Sequence, residues 1–124
     1  IEFATGVAAV GGWDCDHLEK TRLSGEEVRI APKTIDAAGR EVVIVDDIIS
    51  TGGTLATAAC MLQEQGAASI HAACVHGVLT SGAYTRLRAA GIASVVSSDT
   101  YENASSFISA ANAIVTAIRE DAHR

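Results

Sequence analysis

Val42, Val43, Ile44 and Val45 form an unbroken β-branched run, and no other stretch of the sequence restricts the fold as tightly. A strand without polar alternation is buried on both faces, so helices have to cover its sheet from either side. The flanking sequence provides them in alternation. From Thr54, "TLATAACMLQEQGA" repeats apolar residues at Leu55, Ala58, Ala59 and Leu62 and stops at Gly66, the pattern of a helix with its terminator. "SIHAACVHG" then reads as a strand, "SGAYTRLRAAG" as a helix ending at Gly91, and "IASVVSSDT" as another strand. "SSFISAANAIVTAIRED" closes the series as an amphipathic helix with Phe107, Ile108, Ala111, Ile114, Val115 and Ile118 on one stripe.

Strands joined by single helices require right-handed crossovers and a parallel sheet. The expected fold is therefore a three-layer α/β/α domain with a mainly parallel sheet. Ahead of the first buried strand, placed at Glu41 to Val45, Phe3 to Val10 predicts a helix ended by Gly11-Gly12. Two extended segments follow, Cys15 to Lys20 and Glu27 to Ala31, separated by a mobile turn at Ser24-Gly25. Pro32 and Gly39 bracket a polar connection into the sheet. The first residue is not Met, and Ile1-Glu2-Phe3 reads as readily as a processing remnant as native sequence, so the start is treated as a cut.

With 124 residues, 48% of them hydrophobic, residues 1–124 fit one domain. A net charge of −6 gives no long-range pull on nucleic acid or on an anionic membrane, so any phosphate chemistry has to be local. Cys15, Cys60 and Cys74 are far apart and in no CxxC spacing, which argues against a disulfide framework or a cysteine zinc site and for a reducing, cytoplasmic setting. No segment has the roughly 18 apolar residues of a membrane helix, and none has the plan of a signal peptide.

The β-branched run continues as "VVIVDDIISTGGT". In open parallel sheets ligands bind beyond the carboxyl ends of the strands, where loops enter helices. Gly52 and Gly53 let the backbone approach a ligand, Ser50, Thr51 and Thr54 bring hydroxyls, and the next helix offers unpaired N–H groups, together an anion-binding cup. Asp46 and Asp47 repel an anion placed on them and suit hydroxyl donors or a cation instead. A phosphorylated pentose satisfies both halves. The plainer reading, an aspartate capping the next helix, leaves the TGGT cluster and the second acid without a purpose. Neither GxxxxGK[ST] nor GxGxxG is present.

In this form the stretch resembles the phosphoribosyl-diphosphate-binding motif of type I phosphoribosyltransferase folds. Taken in order, "HLEKTRLSGEEV", "GREVVIVDDIISTGGT", "VHGVL" and "SSDT" are similar to the second domain of ribose-phosphate diphosphokinases, especially archaeal ones. The resemblance spans almost the whole chain and implies a transferase of nucleotide biosynthesis. Ribose 5-phosphate would sit in the Asp46 to Thr54 loop, and its anomeric hydroxyl would attack the β-phosphorus of ATP, with Mg²⁺ assisting and AMP leaving. Asp46 and Asp47 would hold the ribose hydroxyls, and Ser50, Thr51, Gly52, Gly53 and Thr54 the 5-phosphate. Lys20 and Arg22 match the two basic residues of the family's flexible catalytic loop.

The resemblance also implies what is missing. The family's ATP contacts come mainly from a first domain and a neighbouring subunit, and an Asp-containing loop of its metal site follows a strand that would precede Phe3. No metal ligands are therefore assigned here, and ATP is expected to bind only with the missing domain. The edge left by the lost strand predicts a homo-oligomer. Two other readings are a phosphoribosyltransferase acting on phosphoribosyl diphosphate and a base, and a non-catalytic regulatory homologue. His76 is read as structural or at the site's rim, while Asp99 and Thr100 either touch substrate or cap the next helix. His17, His71 and His123 show no ligand-like spacing. Cys60 and Cys74 are expected in the core, and Trp13 near the loop entrance.

Overall fold

The computed structural model describes residues 2–24, 27–80 and 82–122. Its elements run α1 (Glu2–Gly11), β1 (Lys20–Ser24), β2 (Glu27–Ile30), β3 (Glu41–Ile49), α2 (Gly53–Glu64), β4 (Ser69–Gly77), α3 (Ala83–Ala89), β5 (Ser94–Ser98), β6 (Ser106–Ile108) and α4 (Ala111–Ala122). β1 and β2 form an antiparallel ribbon of their own, and the main sheet is fully parallel in the order β3-β4-β5-β6.

The register explains where the core lies. Val42 pairs with Ile70, Ile44 with Ala72, and Ala72 with Val95, which stacks apolar side chains from three strands on one face. Leu55, Ala59 and Leu62 of α2 and Leu87 of α3 close over that face, joined by Ile92. The four α2 positions that the periodicity selects, Leu55, Ala58, Ala59 and Leu62, are its buried ones. Each fully buried Leu or Ile contributes about 1.5–3 kcal/mol relative to an exposed one. The chain leaves α2 through Gly66 at φ 88°, a left-handed conformation that glycine adopts without steric cost.

Several expectations need correction. The first buried strand does not end at Val45 but runs to Ile49, because Ile48 and Ile49 stay in register with His76 and Gly77 of β4. Both acids therefore lie within a strand. The cover is also incomplete: α1 packs against β3, yet Val43 is 56% exposed. The extended segment expected over Cys15 to Lys20 begins only at Lys20. Before it, Asp14 is bonded to Arg40 and Asp16 to Lys33, so the segment is tied to the 31–40 loop through side chains instead of a ladder. The mobile turn expected at Ser24-Gly25 falls partly outside the described residues, as does His123.

The last expected helix divides in two. Ser106 and Ile108 pair with Ser97 and Ser98 as β6, and helix α4 starts only after Asp99 has bonded the Ala110 N–H. Phe107 and Ile108 therefore leave the proposed helical stripe. Its remaining large members, Ile114, Val115 and Ile118, are exposed. Cys60 is exposed as well, against the expected core position, whereas Cys74 is buried.

Candidate functional site

β3 delivers Asp46 and Asp47 to the carboxyl edge of the sheet, three and two residues before its last residue, Ile49. Asp46 accepts a 2.8 Å hydrogen bond from Lys20 Nζ, which links the ribbon to the main sheet. Its other oxygen accepts from the Asp47 N–H at 2.8 Å, and Asp47 Oδ1 accepts from the Ile48 N–H at 2.8 Å. Hydrogen bonding with the Asp46 side chain, then the Ile48 N–H, and further down the Lys20 charge, hold the Asp47 carboxyl below the ordinary carboxylate range. The two acids and Lys20 thus form one charged unit. Arg22 lies two residues along β1, on the strand face that Lys20 occupies.

The turn between Ile49 and α2 is fixed from behind. Thr80 donates to the Ser50 carbonyl through both its N–H, at 3.0 Å, and its hydroxyl, at 3.2 Å. Arg86 Nη1 donates to the next carbonyl, that of Thr51. Gly52, the N-cap residue of α2, is buried with φ 78° and ψ 0° and has no side-chain cap. A Cβ there would come within 3.1 Å of Leu87 Cδ2, so both backbone shape and space select glycine. The first helical bond runs from the Ala56 N–H to the Gly52 carbonyl at 2.9 Å. Gly52 has no side chain to cap the helix and the Gly53 N–H meets only the Thr51 hydroxyl, at 3.5 Å, so this helix start, at the positive end of the dipole, is suited to a phosphate.

The remaining candidates separate by their partners. Asp99 Oδ1 accepts from the Ala110 N–H at 2.8 Å, which is the capping role. Thr100 Oγ1 and His76 Nδ1 are 2.8 Å apart, so these two residues meet at the ends of β4 and β5. His71 bonds Ser94 Oγ at 2.6 Å between neighbouring strands. Trp13 is exposed, with its ring lying over Gly11 at the end of α1. Sequence reasoning missed Thr80 and Arg86 because their partners are the carbonyls of Ser50 and Thr51, which carry no side-chain signature. Among the described residues, no three His, Cys, Asp or Glu side chains converge as a metal-ligand set. None of the described helices is long and apolar enough to cross a membrane.

Cys74 lies opposite Asp46 in the β3–β4 register. Burial first, and then the charges of Asp46 and Asp47, push its thiol above the ordinary range. Native protein treated with iodoacetamide at neutral pH is expected to carry label on the exposed Cys15 and Cys60 and not on Cys74, by peptide mass spectrometry. Equal labelling of all three would contradict this environment.

Comparison with known proteins gives the same geometry a lineage. Residues 16–110 match the model of the phosphoribosyl transferase domain. A ribose-phosphate pyrophosphokinase of Methanosarcina acetivorans is 51% identical over 113 residues, covering 91% of this chain and 40% of that protein. One from Methanopyrus kandleri is 48% identical over 117 residues, covering 94% of this chain and again 40% of the relative. The crystal structure of phosphoribosylpyrophosphate synthetase from Mycobacterium smegmatis superposes with a TM-score of 0.71 at 29% identity, over 96% of this chain and 40% of that one. The chain thus spans about two fifths of the length of the relatives it matches. The matched span contains the β1–β2 ribbon, both acids and the whole glycine turn, and on that span the chain belongs to the phosphoribosyl transferase domain family.

Proposed function

We propose that this domain binds ribose 5-phosphate within a ribose-phosphate pyrophosphokinase. The observation that carries the reading is the joining of an acid pair, a glycine turn and a hairpin lysine in one place, with Lys20 Nζ 2.8 Å from Asp46. Asp46 and Asp47 accept the ribose hydroxyls, while Ser50, Thr51, Gly52, Gly53 and Thr54 surround the 5-phosphate. The anomeric hydroxyl gives up its proton to solvent as its oxygen forms a bond to the β-phosphorus of ATP and the bond from that phosphorus to the α-phosphate oxygen breaks, and AMP departs. Lys20 and Arg22 stabilise charge on the phosphates in flight, which is the main task a protein has in such transfers. Binding of the sugar would exchange the Lys20 partner of Asp46 for a hydroxyl and free the lysine for that task.

Mg²⁺ commonly keeps several waters and takes one or two carboxylates plus substrate phosphates, so a site without a three-residue ligand set is compatible with it. Asp46 and Asp47 are the hard oxygen donors here that could take part, and the ion would neutralise phosphate charge. ATP is a partner of the longer protein, with residues 1–124 as its ribose-phosphate domain and the cytoplasm as its compartment. β3 stands at an edge of the sheet with Val43 exposed, which favours pairing with another copy. Light scattering at working concentration is expected to give more than the monomer mass; a strictly monomeric mass removes the oligomer from the proposal.

Calorimetric titration tests the substrate assignment. With Mg²⁺ present, ribose 5-phosphate and phosphoribosyl diphosphate are expected to bind, and ATP only weakly. No heat from either ribose phosphate would refute the assignment.

A further inference from the structure

We infer that Arg86 is a positioning residue for the phosphate cup, acting through the Thr51 peptide group. This rests on the ribose 5-phosphate reading above and adds to it a residue from another element. Arg86 lies on α3, 35 positions from Thr51, and its Nη1 donates to the Thr51 carbonyl. One peptide earlier, the Ser50 carbonyl is held by the Thr80 N–H and hydroxyl at 3.0 and 3.2 Å. Two successive carbonyls of the turn are therefore drawn toward the segment that carries α3.

The consequence follows from peptide geometry. In a planar trans peptide the C=O and N–H point in opposite directions. Holding the Ser50 carbonyl turns the Thr51 N–H away from α3, and holding the Thr51 carbonyl does the same to the Gly52 N–H. Those N–H groups are the ones a cup before α2 offers to an anion. Gly52 is the weak point of this arrangement, since glycine, held here at a left-handed φ of 78°, has no Cβ of its own to restrict the flanking peptides. Leu87, one residue beyond Arg86, fills the space behind Gly52, so α3 both packs the turn and orients it. A guanidinium suits the task because its planar N–H fork fixes an acceptor's direction and never loses its charge.

Arg86 is exposed, so replacing it leaves the core intact. Arg86→Ala is expected to weaken ribose 5-phosphate binding by about tenfold, the worth of a hydrogen bond to a charged group. Arg86→Gln, a neutral side chain that can still donate to the carbonyl, should recover part of that loss. In ligand-free protein, the amide resonances of Thr51, Gly52 and Gly53 should move in Arg86→Ala while those of β4 stay in place. The inference is overturned if Arg86→Ala binds within about twofold of the wild type, or if the Thr51 to Gly53 resonances do not move. It is also overturned if Gln behaves as Ala while Arg86→Lys restores binding fully, which would make the charge alone responsible. Should the wild type bind no ribose phosphate, the substrate reading fails, and the ligand-free resonances still decide whether Arg86 orients the turn.

Discussion

Leu87→Ala is expected to lower the unfolding free energy by about 2–5 kcal/mol, the range for removing a buried leucine and leaving a cavity. Leu87 is 0% exposed and stands where α3, the core face of the sheet and the turn at Gly52 meet. Against a typical total of about 5–15 kcal/mol for a domain of this kind, that loss brings the protein near the limit of folding. Urea titration followed by circular dichroism should show the midpoint falling with the slope unchanged. A change below about 1 kcal/mol would mean that the site collapses around the smaller side chain and that the packing behind Gly52 is looser than its distances imply. Because Leu87 Cδ2 would lie 3.1 Å from a Gly52 Cβ, the same truncation opens space behind the turn. Weaker ribose 5-phosphate binding should accompany the lost stability.

Asp47→Ala separates function from stability in the opposite sense. Ribose 5-phosphate affinity should fall by roughly thirtyfold, from the loss of about 2 kcal/mol of hydrogen bonding between a sugar hydroxyl and a charged acceptor. The thermal midpoint should change little, since Asp47 is exposed and its loss leaves no cavity. Inorganic phosphate, which has no diol, should bind the variant and the wild type alike. Equal loss for inorganic phosphate would place Asp47 in the structure of the cup instead of on the sugar. The pH dependence has a definite sign. A carboxyl whose pKa is depressed stays charged below the ordinary range, so any affinity that Asp47 supplies should persist as pH falls through about 4 and be lost only below that.

Much of the fold was legible because the signals were local. β4 spans Ser69–Gly77, the whole of the "SIHAACVHG" segment, and α2 buries the four positions its periodicity selects. Both are long elements whose pattern repeats several times. β6 is three residues long, and within "SSFISAANAIV" its apolar residues fall as readily on a helical stripe as on a strand. Pairing with β5 and the Asp99 bond to Ala110 decide the matter, and both are tertiary. The site divides along the same line. Asp46 to Thr54 is one continuous stretch whose residue types suggest the proposed chemistry without any tertiary information. The Lys20–Asp46 pair joins residues 26 apart, and the two carbonyl clamps from Thr80 and Arg86 join side chains to backbone, which no residue pattern encodes.

α4 leaves a different kind of trace. It has 12 residues and buries none of them. A helix of about 12–15 residues is marginal in water without tertiary support, so α4 opens and closes on its own equilibrium instead of that of the sheet. Hydrogen exchange in this chain should accordingly show two tiers, with α4 amides turning over through local fraying and β4 amides only through global unfolding. A measured melting temperature would then report the sheet and be silent about the last helix.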